Sequence, residues 1–133
     1  MKSTTLSIQL SEETAERLAS IAGNLGMAPQ ALAERYVEEG LRMDKYPLVH
    51  FVDGPAGRRA RLLGGPDVWE MISTVHGNDD DLEQAAACLE VPLVLVQAAA
   101  DYYEAYRQEI DERIERNRMT TVNARLAARE ASA

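Results

Sequence analysis

Thr5, Ser7 and Gln9 stand at alternate positions of the stretch Thr5-Leu6-Ser7-Ile8-Gln9-Leu10, each beside an aliphatic residue. Their side chains are of the types that read base edges. A glutamine carboxamide pairs bidentately with adenine, and serine and threonine hydroxyls are permissive partners. That chemistry needs all three on one surface. A period of two supplies it, because successive residues of a strand point to opposite faces. Leu6, Ile8 and Leu10 then make the other face. A lone strand this short does not hold in water, and no nearby stretch offers itself as a mate, so the economical partner is the same segment of a second copy. Two such strands run antiparallel as a ribbon, which fits the major groove of B-form DNA. The competing reading is an edge strand whose Thr, Ser and Gln face is simply solvated.

The elements behind this stretch follow from their end signals. Ser11 is a good helix N-cap. Residues 12–25 place Ala15, Leu18, Ala19, Ala22 and Leu25 at helical spacing, and early glutamates suit the positive end of the dipole. Gly26 stops that helix and Pro29 opens the next, which runs to about Met43 and buries Leu32, Ala33, Tyr36, Val37 and Leu41. Tyr46-Pro47 closes the unit. Strand, helix, tight turn and helix over residues 4–43 (TLSIQL, SEE, Gly-Met-Ala-Pro, ALAERYVEEGL) resemble the ribbon-helix-helix family of CopG, Arc and MetJ-like repressors. The resemblance implies an intertwined dimer with Thr5, Ser7 and Gln9 as base readers. Relatives grip a phosphate at the start of the second helix with Ser, Thr or Asn. This chain has Ala28 there, so only backbone amides remain for that contact. Lys2 is a candidate phosphate contact.

Bulk properties bound the rest. A chain of 133 residues makes one medium domain or two small ones, and 46% apolar residues are enough for a core. The N-terminus lacks the apolar run of a signal peptide and no stretch reaches membrane-spanning length, so a cytoplasmic protein is expected. Cys88 is the only cysteine, which excludes an intrachain disulfide, and with His50 and His76 it makes no metal-ligand spacing. The net charge of −8 is unevenly spread: residues 77–133 carry six basic and twelve acidic side chains, far from the ribbon.

From Leu48 the texture changes. Leu48–Val52 is β-like, Asp53–Gly57 is rich in turn residues, and Arg58–Leu63 returns as a second strand before Gly64-Gly65-Pro66. Arg58, Arg59 and Arg61 form the one basic cluster, read either as phosphate contacts beside the ribbon or as the solvated side of a hairpin. Three helices are then expected. They are Asp67–Val75, Asp79–Leu89, and a long one from Val91-Pro92 past Tyr106 toward Ile114, with Leu93, Val96, Ala99, Ala100 and Tyr103 as its buried stripe. Leu95, Val94 and Ala98 lie off that stripe. With Tyr102, Tyr103 and Tyr106 they give the helix more apolar circumference than one small core absorbs, which points to a partner surface. Its polar side offers Gln97, Asp101 and Glu104, with Arg107 only near the end; the anionic Asp101 and Glu104 would repel phosphate, which argues against DNA reading by this module. The tail is alanine-rich, with Thr120-Thr121 as a cap for a short helix carrying Arg125, Leu126 and Arg129.

The phrases GGPDVWEMI and VPLVLVQAAADYYEAYRQEID resemble a family of small antitoxin-associated domains described as trihelical and helix-turn-helix-like, over about residues 48–112. Where relatives have Gly-Thr-Arg before the tryptophan helix, this chain has Gly-Gly-Pro. Joined to a ribbon-helix-helix head, the module resembles VapB-type antitoxins. That resemblance implies a partner ribonuclease toxin with a PIN-like fold, whose carboxylate cluster an inserted Arg125 or Arg129 would occupy. The expected architecture is mainly α. Residues 1–46 form a ribbon-helix-helix DNA-binding and dimerisation domain, 47–114 a β-hairpin plus trihelical domain, and 115–133 a tail as candidate toxin-binding segment. The expected function is a non-enzymatic, cofactor-free antitoxin that forms a homodimer or higher oligomer, binds operator DNA, represses its own operon and neutralises the toxin. The alternative is a stand-alone regulator whose C-terminal domain drives oligomerisation. An enzyme using His76 or Asp79/Asp80 ranks below both, because no nucleophile elbow or phosphate-binding glycine loop accompanies them.

Overall fold

The computed structural model describes residues 3–132 and is mainly α. Among the described residues there are six helices and one two-stranded antiparallel hairpin, which lies between the second and third helices. The chain divides into two compact units, one ending at Leu41 and one beginning at Arg42.

The first unit is built from α1 (Glu12–Leu25) and α2 (Pro29–Lys45), whose last residues belong to the second. Ser11 caps α1, its hydroxyl accepting from the Thr14 amide at 3.1 Å. Gly26 ends it in the left-handed region at φ 67°, a conformation that costs a side-chain-bearing residue energy. Two bonds close the turn: Gly26 N–H to the Gly23 carbonyl at 3.2 Å and Met27 N–H to the Ala22 carbonyl at 2.9 Å. Pro29 opens α2 as expected. Residues 5–10, expected as a strand, belong to no helix or strand here. The one sheet among the described residues pairs β1 with β2 and does not include them, and a strand this short does not hold without a mate. Of the side chains expected to be buried by α2, Leu32 is, whereas Tyr36, Val37 and Leu41 are exposed. Two helices without a third layer cannot cover both of their apolar faces.

The second unit has its own core. Strands β1 (Val49–Val52) and β2 (Arg59–Leu62) pair with Val49 opposite Leu62 and Val52 opposite Arg59. Alternation turns Ala60 and Leu62 inward and leaves Arg59 and Arg61 on the other face. Helices α3 (Val68–Gly77), α4 (Leu82–Leu89), α5 (Leu93–Ala105) and α6 (Arg107–Ser132) follow. Val49, Leu62, Val68, Met71, Ile72, Val96 and Tyr102 are among its fully covered side chains. The stripe of α5 differs from the expected one: Leu95 and Tyr102 are buried with Val96 and Ala99, while Leu93 is exposed. Leu95 packs close to Gly65, where a methyl group would stand 3.2 Å from Leu95 Cδ1 and 3.4 Å from Leu62 Cβ.

Helix α4 starts later than expected, at Leu82, because Asp79 and Asp80 both take positive φ and Asp81 is the cap. Nor does α5 reach Ile114. It ends at Tyr106, whose φ of −128° breaks the helix while its N–H still bonds back to the Tyr102 and Tyr103 carbonyls. The offset brings the Tyr106 ring to 4.6 Å from that of Tyr102 and 6.2 Å from that of Tyr46. Beyond the break, α6 runs unbroken to Ser132, in place of a separate short helix. Thr120 and Thr121 are not caps. Their hydroxyls donate to the Arg116 and Asn117 carbonyls four residues back, at 3.0 Å each, and so are satisfied inside a helix of good helix formers. No described helix is long and apolar enough to cross a membrane.

Candidate functional site

In the first unit the candidate readers Thr5, Ser7 and Gln9 are exposed, and so are their alternate neighbours: Leu6 at 79%, Ile8 at 61% and Leu10 at 48%. Five further large apolar side chains of the same unit are exposed, namely Ile21, Leu25, Tyr36, Val37 and Leu41. Ala22 and Leu32 are its only buried apolar residues among those described. Ala28 is exposed just before α2. Its carbonyl takes the Leu32 N–H at 3.1 Å, and Pro29 has no N–H to give, so the amides of Gln30 and Ala31 remain for an anion at that helix start. Lys2 lies outside the described residues.

In the second unit the three tyrosines divide. Tyr102 was expected on a partner surface and is instead fully buried. Its hydroxyl accepts from Arg42 Nη1 at 2.8 Å and donates to Glu109 Oε2 at 3.1 Å, while Arg42 and Glu109 bond each other at 2.9 Å. Burial and the Glu109 charge push this phenol far above its ordinary range. Tyr106 is half-buried with the Arg42 guanidinium 3.8 Å above its ring, and Tyr103 is half-buried with its hydroxyl on Asp111 at 2.7 Å. Burial, then the Asp111 contact, pushes Tyr103 up to about 12. Arg125, Leu126 and Arg129 are exposed along the last turns of α6.

The hairpin arginines are neither a uniform solvated face nor a row. Arg58 pairs with Asp53 at 2.9 Å. Arg59 turns instead onto Asp67, the buried residue that caps α3, and the same carboxylate accepts from the Trp69 indole at 3.1 Å. Gly54 makes room, since a methyl group there would collide with Arg59 Nη1. Arg61 stands 4.0 Å from the other Asp67 oxygen. Beside this knot a cleft of about 640 Å3 opens between the hairpin turn, the start of α3 and the middle of α6. Arg113 holds it together by donating to the Ala56 carbonyl at 2.7 Å and the Arg58 carbonyl at 3.3 Å. Arg116, Asn117 and Thr120 complete that wall. Sequence reasoning singled out none of Arg113, Arg116 and Asn117, and read Thr120 only as a cap. The available signal was their spacing of i, i+3, i+4 and i+7 on one helix face.

Among the described residues no group of three or more His, Cys, Asp or Glu is placed to hold a metal ion. Comparison with protein-family models, with curated proteins and with solved structures found no match.

Proposed function

We propose that this chain is a ribbon-helix-helix regulator of the antitoxin kind. It dimerises through residues 5–10, binds operator DNA with Thr5, Ser7 and Gln9, represses its own operon, and neutralises a PIN-like ribonuclease through its second unit. One observation carries the dimeric part: among its described residues the first unit buries two apolar side chains and leaves eight large ones exposed, three of them alternating with the readers. Each contributes roughly 1.5–3 kcal/mol when fully covered, and a patch this dense marks an interaction surface. A second copy laid antiparallel pairs the strand edges, gathers Leu6, Ile8 and Leu10 of both copies on one face for the exposed apolar sides of the helices to cover, and turns Thr5, Ser7 and Gln9 to the other face together. The antitoxin part rests on the resemblance of residues 48–112 and on the exposed Arg125, Leu126 and Arg129, which suit an acidic active site.

A band-shift titration on promoter DNA tests the readers. Replacing Thr5, Ser7 and Gln9 together by alanine is expected to abolish specific binding, since each good base contact contributes about 1–3 kcal/mol of discrimination. Unchanged binding refutes the assignment. Co-purification with the product of the neighbouring gene tests the toxin. The stand-alone regulator is the second reading, favoured by the exposure of Leu93 and Val94 on α5. It predicts tetramers or larger for the protein alone, at the same mass after Arg125 and Arg129 are replaced.

A further inference from the structure

Residues 77–133 are strongly acidic, yet the cleft of the second unit gathers Arg59, Arg113 and Arg116 around a single carboxylate, that of Asp67. Asp67 is buried and already shared between Arg59 and the Trp69 indole, so it neutralises one of the three guanidinium groups. Arg113 is fixed by two neutral carbonyls, and Arg116 has no ion pair among the described residues. Two positive charges are therefore left unmatched. They act on each other: burial, with the charges of Arg116 and Arg59, holds the Arg113 guanidinium below its ordinary pKa.

We propose that this cleft is a binding site for a phosphate monoester of a flat ring, a mononucleotide in chemical class. The charge fits, since a phosphomonoester carries about −1.5 to −2 at neutral pH, whereas a single carboxylate would answer only one of the two excess charges. The guanidinium fork of Arg116 is free to take phosphate oxygens bidentately, with Arg113 as a fixed charge behind it. The size fits as well. About 640 Å3 is far more than a bare anion fills and lies within the range of small-molecule sites. The half-buried Trp69 ring forms an apolar wall for a flat body, and Asn117 and Thr120 put neutral polar side chains beside it. A concave site of this kind favours a small ligand over the backbone of a duplex. The inference concerns the second unit alone and does not depend on the ribbon.

Trp69 is the only tryptophan of the chain, so its emission reports on the cleft directly. The full-length protein is titrated with adenosine monophosphate, adenosine, inorganic phosphate, citrate and a random-sequence DNA duplex. Saturable quenching by the mononucleotide is expected, with adenosine and phosphate each weaker by on the order of tenfold or more. Arg116→Ala is expected to weaken the mononucleotide about tenfold without changing the melting temperature, and Arg116→Lys to fall between. The proposal is overturned by no saturable response below about 5 mM, by phosphate or citrate matching the mononucleotide, by a response to duplex alone, or by an Arg116→Ala protein that binds as the parent does.

Discussion

The two units of this chain handle apolar surface in opposite ways. The second closes a core over the hairpin and four helices, with Val49, Leu62, Val68, Met71 and Val96 essentially fully covered. The first is of similar apolar character but, among its described residues, hides only Ala22 and Leu32 of its apolar side chains. Helices and sheets must bury their apolar stripes against another layer. The second unit finds that layer in its own chain, whereas the first finds half of one. The difference separates a unit with a closed core from one with its apolar surface open, and it is the ground on which we propose association through the exposed N-terminal residues.

Substitutions that strike one unit and spare the other sharpen this contrast. The largest effect is expected from Ile8→Asp. A carboxylate on the shared apolar face should weaken self-association by about a thousandfold or more (roughly 4 kcal/mol) and abolish operator binding, with the melting of the second unit unchanged. Sedimentation velocity and band shifts check it. Leu62→Ala is the mirror image. It leaves a cavity in the second unit and should cost about 2–5 kcal/mol of that unit's stability, read by chemical denaturation, while the N-terminal association persists. Tyr102→Phe removes a hydroxyl yet leaves Arg42 and Glu109 bonded to each other, so the expected loss is only about 1 kcal/mol.

The last effect shows only in alkali. Tyr103 ionises at about 12 in the fold against 10.0 for the free phenol, so the folded state holds its proton more tightly. The stability it contributes is complete below pH 10 and is lost as pH rises toward 12. Denaturation midpoints should fall over that window, and less steeply in Tyr103→Phe.

What was legible in the sequence was local. Ser11, Gly26 and Pro29 carry their meaning in their own chemistry, and the ends of α1 and the start of α2 follow from them. The hairpin was legible for the same reason: β-like residues flank a run of turn formers. What escaped was decided by residues far apart in the chain. Nothing in Tyr106 as a residue type breaks a helix, yet α5 ends there, where its ring meets Arg42 and Tyr46 from some sixty positions upstream. Leu95 rather than Leu93 is buried, and the Gly65 it packs close to lies in the loop before α3. In the cleft, Arg59 and Arg113 come together only once the hairpin turn lies against α6, and no local pattern states that. The alternation of residues 5–10 was plain in the sequence, but the strand it predicts pairs with nothing among the described residues.

Amide hydrogen exchange of residues 5–10 in the full-length protein, followed over a wide range of protein concentration, tests the dimer most directly. A ribbon between copies predicts alternating protection of these amides at high concentration, lost on dilution in step with a fall from twice the chain mass to one. Amides that exchange freely at every concentration, in a protein that stays at a single chain mass, would contradict it.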